Sequence, residues 1–203
     1  MTGIKIVNLG SLIENVGEER AKAILSNFSC PLNADVEHFL KTNAILFAKQ
    51  GLAATHLVFK KYKKEPVLVG YFSLASKYIT VSKNKVTSTT ARRIAKFAAY
   101  NQYSNVYSLS APLIAQLGKN FTNGYNELIT GDELLALAIE KVQRVQMDVG
   151  GRISYVECED KPALIDFYSR NGFREFDKRT LDKDETDLQG EYLVQLLRYI
   201  SLK

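Results

Sequence analysis

The stretch Lys161-Pro-Ala-Leu-Ile-Asp-Phe-Tyr-Ser-Arg-Asn-Gly-Phe173 carries the strongest fold signal in the chain. Its apolar residues stand at helical spacing and predict a short amphipathic helix. Gly172 lets the chain leave that helix, because glycine adopts the left-handed conformation that often ends one. Phe173 then starts a strand. The stretch therefore predicts a helix joined directly to a strand, with Tyr168 at the junction.

Predicted helices and strands flank this stretch. Asn33 or Asp35 is expected to cap the second helix, and Pro112 is expected to bend its strand because it lacks a backbone donor. The first two strands should form a hairpin, and the element order fits a mixed α/β fold with a crossover helix between parallel neighbours. The patterns predict helices over residues 16–28, 35–50, 88–100 and 130–147, and strands over 54–62, 67–75, 107–119, 153–158 and 190–202.

Length and composition indicate one globular domain. The chain has 203 residues, of which 46% are hydrophobic, so it can bury a sizeable core. It contains no run of about 18 uncharged apolar residues, and its start, Met1-Thr-Gly-Ile-Lys-Ile6, lacks the basic and apolar blocks of a secretory signal. We therefore expect a cytoplasmic protein that does not contact a membrane.

Cysteine and histidine are too sparse to suggest a metal site. Cys30 and Cys158 have no near neighbour of their own kind, which argues against a disulfide framework and against a thiolate site. The two histidines are His38 and His56. No metal cofactor is expected.

Charge is distributed unevenly along the chain. The net charge is +5, yet no carboxylate occurs from Pro66 through Asn126, whereas residues 157–191 are rich in Asp and Glu. The middle should carry a positive field that attracts polyanions, although a solvated basic face without a ligand is the alternative. The basic residues of this span are Lys77, Lys83, Lys85, Arg92, Arg93, Lys96 and Lys119.

The junction motif resembles a signature of the GNAT acetyltransferase superfamily. Tyr168, Gly172 and Phe173 fill its pattern Tyr-x-x-x-Gly-Phe. The resemblance implies a mixed, mostly antiparallel sheet of about six to seven strands flanked by helices, with a helical insertion before the fourth strand. It also implies acetyl-CoA as co-substrate, and a tyrosine that faces the sulfur of that molecule.

Residues 126–131, Asn-Glu-Leu-Ile-Thr-Gly, stand where the family has a pyrophosphate-binding loop. A helix start offers unpaired amides and a positive dipole end to phosphate. However, Thr130 to Glu133 has the spacing of a capping box, which would satisfy those amides internally. Phosphate binding and a plain capped helix both stay open. The cofactor contacts implied by the resemblance are Leu117, Lys119, Asn126, Leu128, Ile129, Thr130, Gly131 and Tyr168.

The resemblance further implies a direct attack of an amine on the thioester, through a tetrahedral intermediate. The backbone amide of Leu117 would stabilise the oxyanion, and the Tyr168 phenol would protonate the departing thiolate. A core aromatic is the alternative for Tyr168. Gln116 and Asn120 flank Leu117 and are candidates to position the amine, or are ordinary strand-end groups. No general base is assigned.

Motifs outside the junction resemble the GNAT toxins that acetylate aminoacyl-tRNA, among them Phe28-Ser-Cys30 and Leu68-Val-Gly-Tyr-Phe-Ser-Leu74. This branch implies an RNA-linked amine as acceptor and a basic insertion, expected here at residues 77–106. Arg92 and Arg93 of that insertion are the candidate substrate contacts.

Other acceptors and functions stay open. The chain could acetylate a protein or a small-molecule amine, or it could be a non-catalytic acyl-CoA-binding module. A homodimer and an antitoxin partner are both compatible with the sequence. Residues 1–32 are expected to form a helical N-terminal extension to the acetyltransferase domain, and Tyr100 and Tyr103 could stack on unpaired bases.

Overall fold

A computed structural model describes residues 3–181 and 190–201 of the chain. They divide into two compact units. The first unit contains residues 3–75 and 115–139, and the second contains residues 76–114, 140–181 and 190–201. Two long strands and one long helix contribute residues to both units: β3 (Glu65–Ser82), β5 (Val106–Lys119) and α6 (Gly131–Val149).

The first unit packs helices against the strand order β1-β2-β3-β5. The β1-β2 and β2-β3 pairs are antiparallel, and the β2-β3 hairpin turns at Lys63 and Lys64, both of which have positive φ. A π-helical turn at Phe39–Asn43 joins α3 to α4. The remaining elements of this unit are β1 (Ile4–Asn8), α1 (Leu9–Val16), α2 (Glu18–Ser26), α3 (Ala34–His38), α4 (Ala44–Gln50) and β2 (Ala54–Tyr62).

The core of the first unit fixes the end of β5. Tyr71 is fully buried, packs edge-on against Phe28 at 5.2 Å between ring centroids, and donates a hydrogen bond of 2.6 Å to the Val36 carbonyl. Gly118 of β5 lies against these residues, and a Cβ there would come within 2.3 Å of Val36 Cγ1. Only glycine fits this position without movement of its neighbours.

The second unit has the strand order β3-β5-β6-β8-β7, with β4 paired to β5. The β5-β6 pair is parallel and joins Leu113 to Tyr155, whereas β8 pairs antiparallel with β6 and with β7. Because α6 connects β5 to β6, it is the predicted crossover helix. The further elements are α5 (Ser88–Ile94), β4 (Ala99–Asn101), β6 (Ile153–Glu159), α7 (Pro162–Arg170), β7 (Arg174–Thr180) and β8 (Tyr192–Tyr199).

The predicted fold class is confirmed, with eight strands within residues 3–181 and 190–201 rather than six to seven. The helical interpretation of residues 1–32 is wrong in part, because β1 pairs with β2 along its whole length. One helix was predicted to begin at residue 16. In the structure α1 ends there, Gly17 has a φ of +82°, and a separate helix, α2, begins after it. Asn33 rather than Asp35 caps the second predicted helix, accepting from the Val36 amide at 3.2 Å.

The basic insertion is less helical than expected. β3 continues to Ser82, since buried Ile79 and Val81 alternate with exposed Tyr78 and Thr80. α5 ends at Ile94, and the short β4 follows it. None of the helices in the described part of the chain is long and apolar enough to cross a membrane.

Candidate active site

The loop that leaves β5 in the first unit is anchored by Asn120. This side chain is buried, and its Oδ1 accepts hydrogen bonds from the backbone amides of Ser29 and Thr122, at 3.0 and 3.1 Å. Its Nδ2 donates to the Leu68 carbonyl at 2.9 Å. These contacts favour a structural role for Asn120 over contact with an amine. Gln116, the other predicted acceptor contact, donates to Asp35 at 2.9 Å.

Two lysines hold the carbonyls of the predicted phosphate loop. Lys119 Nζ donates to the Asn126 carbonyl at 3.0 Å, and Lys60 Nζ donates to the Leu128 carbonyl at 2.6 Å. Each ammonium has three donors, so these bonds leave capacity for an anion. The structure thus places positive charge beside the loop. Lys60 was not among the predicted site residues.

The predicted capping box is present at the start of α6. The Glu133 amide donates to Thr130 Oγ1 at 3.1 Å, and Glu133 Oε2 accepts from the Thr130 amide at 2.8 Å. The hydrogen bonds from the Thr130 amide and hydroxyl lower the pKa of the Glu133 carboxyl, which keeps it ionised. A negative charge therefore stands at the helix start, where phosphate is expected, and the Ile129 side chain beside it is buried.

Leu117 lies on β5 between Gln116 and Gly118 and is half-buried. Its neighbour Gly118 offers no side chain, and Gly70 approaches closely, since a Cβ on Gly70 would lie 2.8 Å from the Gly118 carbonyl oxygen. The backbone of β5 is thus closely packed here. An oxyanion role for the Leu117 amide stays a prediction.

Tyr168 lies in the second unit, in the last turn of α7. It is buried between two aromatic rings, with ring centroids at 5.0 Å to Phe167 and 5.7 Å to Phe173. The Phe173 amide donates to the Tyr168 carbonyl at 3.1 Å, which closes the junction from helix to strand. Burial, and to a lesser degree the neighbouring Cys158, raise the pKa of the Tyr168 phenol, so it stays protonated at neutral pH.

Cys158 is protonated, and the two carboxylates at the end of β6 have hydrogen-bonding partners. Burial raises the pKa of the Cys158 thiol to about 12, so this cysteine is not a nucleophile at neutral pH. Glu157 accepts from Arg179 Nε at 2.7 Å and from Gln195 Nε2 at 2.7 Å. Glu159 pairs with Lys161 at 2.8 Å. None of these carboxylates is an evident general base.

Arg92 and Arg93 are exposed neighbours on α5 that face different surroundings. Arg93 lies over the Tyr199 ring, at 4.9 Å from its centroid, whereas Arg92 Nε donates to the Ser88 carbonyl at 3.3 Å. Tyr103 is 93% exposed, as a base-stacking residue would need to be. The structure thus distributes the predicted residues over both units. Gln116, Leu117, Lys119, Asn120, Asn126 and Leu128 to Gly131 belong to the first unit, and Arg92, Arg93 and Tyr168 belong to the second.

No protein-family model and no curated protein matches the chain. Among solved structures, a tyrosine-to-phenylalanine mutant of KacT aligns with a TM-score of 0.62 at 15% identity, over 96% of this chain and 94% of that one. AtaT complexed with acetyl-methionyl-tRNAfMet aligns with a TM-score of 0.59 at 15% identity, over 94% and 93%. A mutant AtaT toxin bound to acetyl-CoA and to the C-terminus of the antitoxin AtaR gives 0.56 at 15% identity, over 97% and 93%.

These alignments cover nearly the whole chain. At this identity they show the fold. The chain has the fold of KacT and of the AtaT toxin, and this is the GNAT-like fold that residues 161–173 predicted.

Proposed function

We propose that the chain is an acetyl-CoA-dependent N-acetyltransferase whose acceptor is an RNA-linked amine, such as that of an aminoacyl-tRNA. The observation that carries the proposal is the position of Tyr168 at the junction of α7 and β7, where its ring is packed against Phe167 and Phe173 and its phenol is protonated at neutral pH. The fold supports it, because structures with this fold hold acetyl-CoA or acetyl-methionyl-tRNA.

The proposed reaction is a direct transfer. The amine nitrogen attacks the thioester carbonyl carbon, a C–N bond forms, and negative charge grows on the carbonyl oxygen, where the Leu117 amide would stabilise it. Collapse breaks the C–S bond, Tyr168 gives its proton to the sulfur, and the proton lost by the amine restores the phenol through solvent. The protonated state of Cys158 supports direct transfer over an acyl-cysteine intermediate.

The residues of the first unit fit an acyl carrier with a pyrophosphate. Lys119 and Lys60 supply positive charge beside residues 126–128, and the start of α6 supplies backbone amides. Gly131 would contact the phosphates through its backbone amide, and Thr130 would do so once its amide exchanges the Glu133 carboxylate for a phosphate oxygen. The ionised Glu133 opposes this binding, and it is the observation that favours the second candidate, a non-catalytic module.

The basic second unit supports a polyanionic acceptor over a protein or a small amine. Lys83, Arg92 and Lys96 belong to a span without carboxylates, and Tyr103 exposes an aromatic face. A homodimer and an antitoxin partner, such as the AtaR that AtaT binds, belong to the same proposal.

Labelled acetyl-CoA incubated with charged tRNA, uncharged tRNA, a lysine peptide and a polyamine tests the proposal. We expect label on charged tRNA only, and less of it at high salt. Transfer to the peptide or the polyamine alone would contradict the acceptor. Binding of acetyl-CoA without transfer to any amine in the panel would favour the non-catalytic module.

A further inference from the structure

The second unit contains a cavity that the proposed reaction does not use. Its volume is about 600 Å³, which lies within the roughly 300–1,000 Å³ typical of small-molecule sites. Its walls come from the segment that precedes α5, from α5 itself, and from the ends of β6, β7 and β8. All of these segments belong to one compact unit.

Cations dominate the lining of this cavity. Lys85, Arg93, Arg174 and Arg198 line it, and Glu175 is the carboxylate among the described lining residues. Lys85 is neutralised by an ion pair with Asp177. Within residues 3–181 and 190–201, no carboxylate forms an ion pair with any of the three arginines. The cavity therefore has an excess of positive charge that the described protein does not balance.

Two of the arginines are held in place by backbone carbonyls. Arg198 Nη1 donates to the Asn171 carbonyl at 2.8 Å, and Arg174 Nη1 donates to the Ser169 and Phe173 carbonyls at 2.8 and 2.9 Å. A guanidinium has five N–H donors, so each keeps donors for a ligand. Burial lowers the pKa of Arg198, which means that its charge is partly desolvated and would gain from an anion.

The cavity also has apolar walls. Buried Ile153 and Leu197 line it together with Val86, and Thr87 and Thr90 add hydroxyl groups. An inorganic anion would leave these apolar walls without contacts. We propose that this cavity binds a small organic phosphate of nucleotide size, with Arg93, Arg174 and Arg198 on its phosphates and the apolar residues against its organic part.

Isothermal titration calorimetry with the full chain tests this site. The probes are ADP, inorganic pyrophosphate and adenosine, each titrated without CoA, because CoA carries an ADP group and could itself fill the cavity; dependence on Arg93 distinguishes the cavity from a site for the acyl carrier. We expect ADP to bind with one site per chain, pyrophosphate to bind more weakly, and adenosine not to bind. Arg93→Gln should weaken ADP binding by about tenfold or more.

The matched control is Arg92→Gln, because Arg92 has the same charge and lies next to Arg93 on α5 but does not line the cavity. This variant should leave ADP binding unchanged. Arg174→Gln is a second cavity variant, and circular dichroism checks the fold of all three.

Two results would overturn the assignment: no heat from ADP at millimolar concentration, or equal weakening by Arg92→Gln and Arg93→Gln. If a short RNA binds in a way that depends on Arg93, and ADP and pyrophosphate give no heat, the ligand of the cavity is an RNA chain and not a small organic phosphate. The inference does not require acetyl transfer. An inactive protein that binds ADP in this way would contradict the proposed function and leave the cavity site intact.

Discussion

At the scale of single residues, Tyr168 combines two requirements of a proton donor to sulfur. It stays protonated at neutral pH, since a phenol has an ordinary pKa of about 10 and burial raises the pKa of Tyr168 further, and its ring is packed against Phe167 and Phe173. We expect Tyr168→Phe to lower turnover by about 100-fold and to leave the dissociation constant of acetyl-CoA unchanged, since the ring packing is kept. Rapid-quench kinetics and calorimetry measure the two quantities. Unaltered turnover would reduce Tyr168 to a core aromatic.

The buried thiol of Cys158 predicts how stability depends on pH. Its pKa is raised from an ordinary 9.0 to about 12 in the folded chain, first by burial. Because the folded state holds this proton more tightly, its stabilising effect is complete below pH 9 and is lost as the pH rises towards 12. We expect the free energy of unfolding, measured with urea, to fall over that range.

Cys158→Ala isolates the contribution of this thiol from that of other buried groups, among them Tyr155 and Tyr168, whose pKa values are also raised. The variant should show a shallower loss of stability above pH 9 and the same pH dependence as the wild type below it. Parallel curves across the whole range would show that the thiol is not desolvated as described.

At the scale of elements, two functions compete for the backbone amides at the start of α6: hydrogen bonding within the capping box and binding of phosphate. The capping box occupies the Glu133 amide, and the Glu133 carboxylate repels phosphate. Glutamine can replace glutamate in a capping box, so Glu133→Gln removes the charge and keeps the cap. We expect this variant to bind CoA about two- to fivefold more tightly by calorimetry.

Glu140→Gln is the control for that experiment, because Glu140 is exposed on the same helix and pairs with Arg144 rather than with the loop. It should not change the affinity for CoA. If Glu133→Gln also has no effect, the phosphates do not lie at the start of α6, and the helix is only capped.

Elements with a strong local pattern could be predicted from the sequence. The strand predicted at 54–62 matches β2, and the capping box and the α7-β7 junction formed as their spacing indicated. β1 was missed because it has only five residues, and the far half of β3 was missed because polar Ser76, Lys77 and Thr80 interrupt its apolar pattern. Lys60 could not be predicted as part of the site, because its bond to the Leu128 carbonyl joins residues 68 positions apart.

At the scale of the whole molecule, charge decides which acceptor is favoured. The net charge is +5, but the charge is unevenly distributed. Residues 66 to 126 contain no carboxylate, and the cations of this span are concentrated in the second unit. RNA that neutralises such cations releases counterions, so its affinity falls with salt in proportion to the number of phosphate contacts. Acetyl-CoA binding depends on fewer charges and should respond less to salt.

The Arg92→Gln variant tests whether the positive charge of residues 66–126 contributes to RNA binding. The Arg92 guanidinium is exposed, and it lies outside the cavity that Arg93 lines. We expect Arg92→Gln to weaken tRNA binding and to reduce the slope of log affinity against log salt by about 0.7 to 1, the contribution of one phosphate contact. Filter binding from 50 to about 200 mM salt gives the slope.

Arg144→Gln is the control. It removes an equal charge from a helix-surface ion pair with Glu140 and should leave the slope unchanged. Equal slopes for the wild type and Arg92→Gln would show that Arg92 does not contact the phosphate backbone.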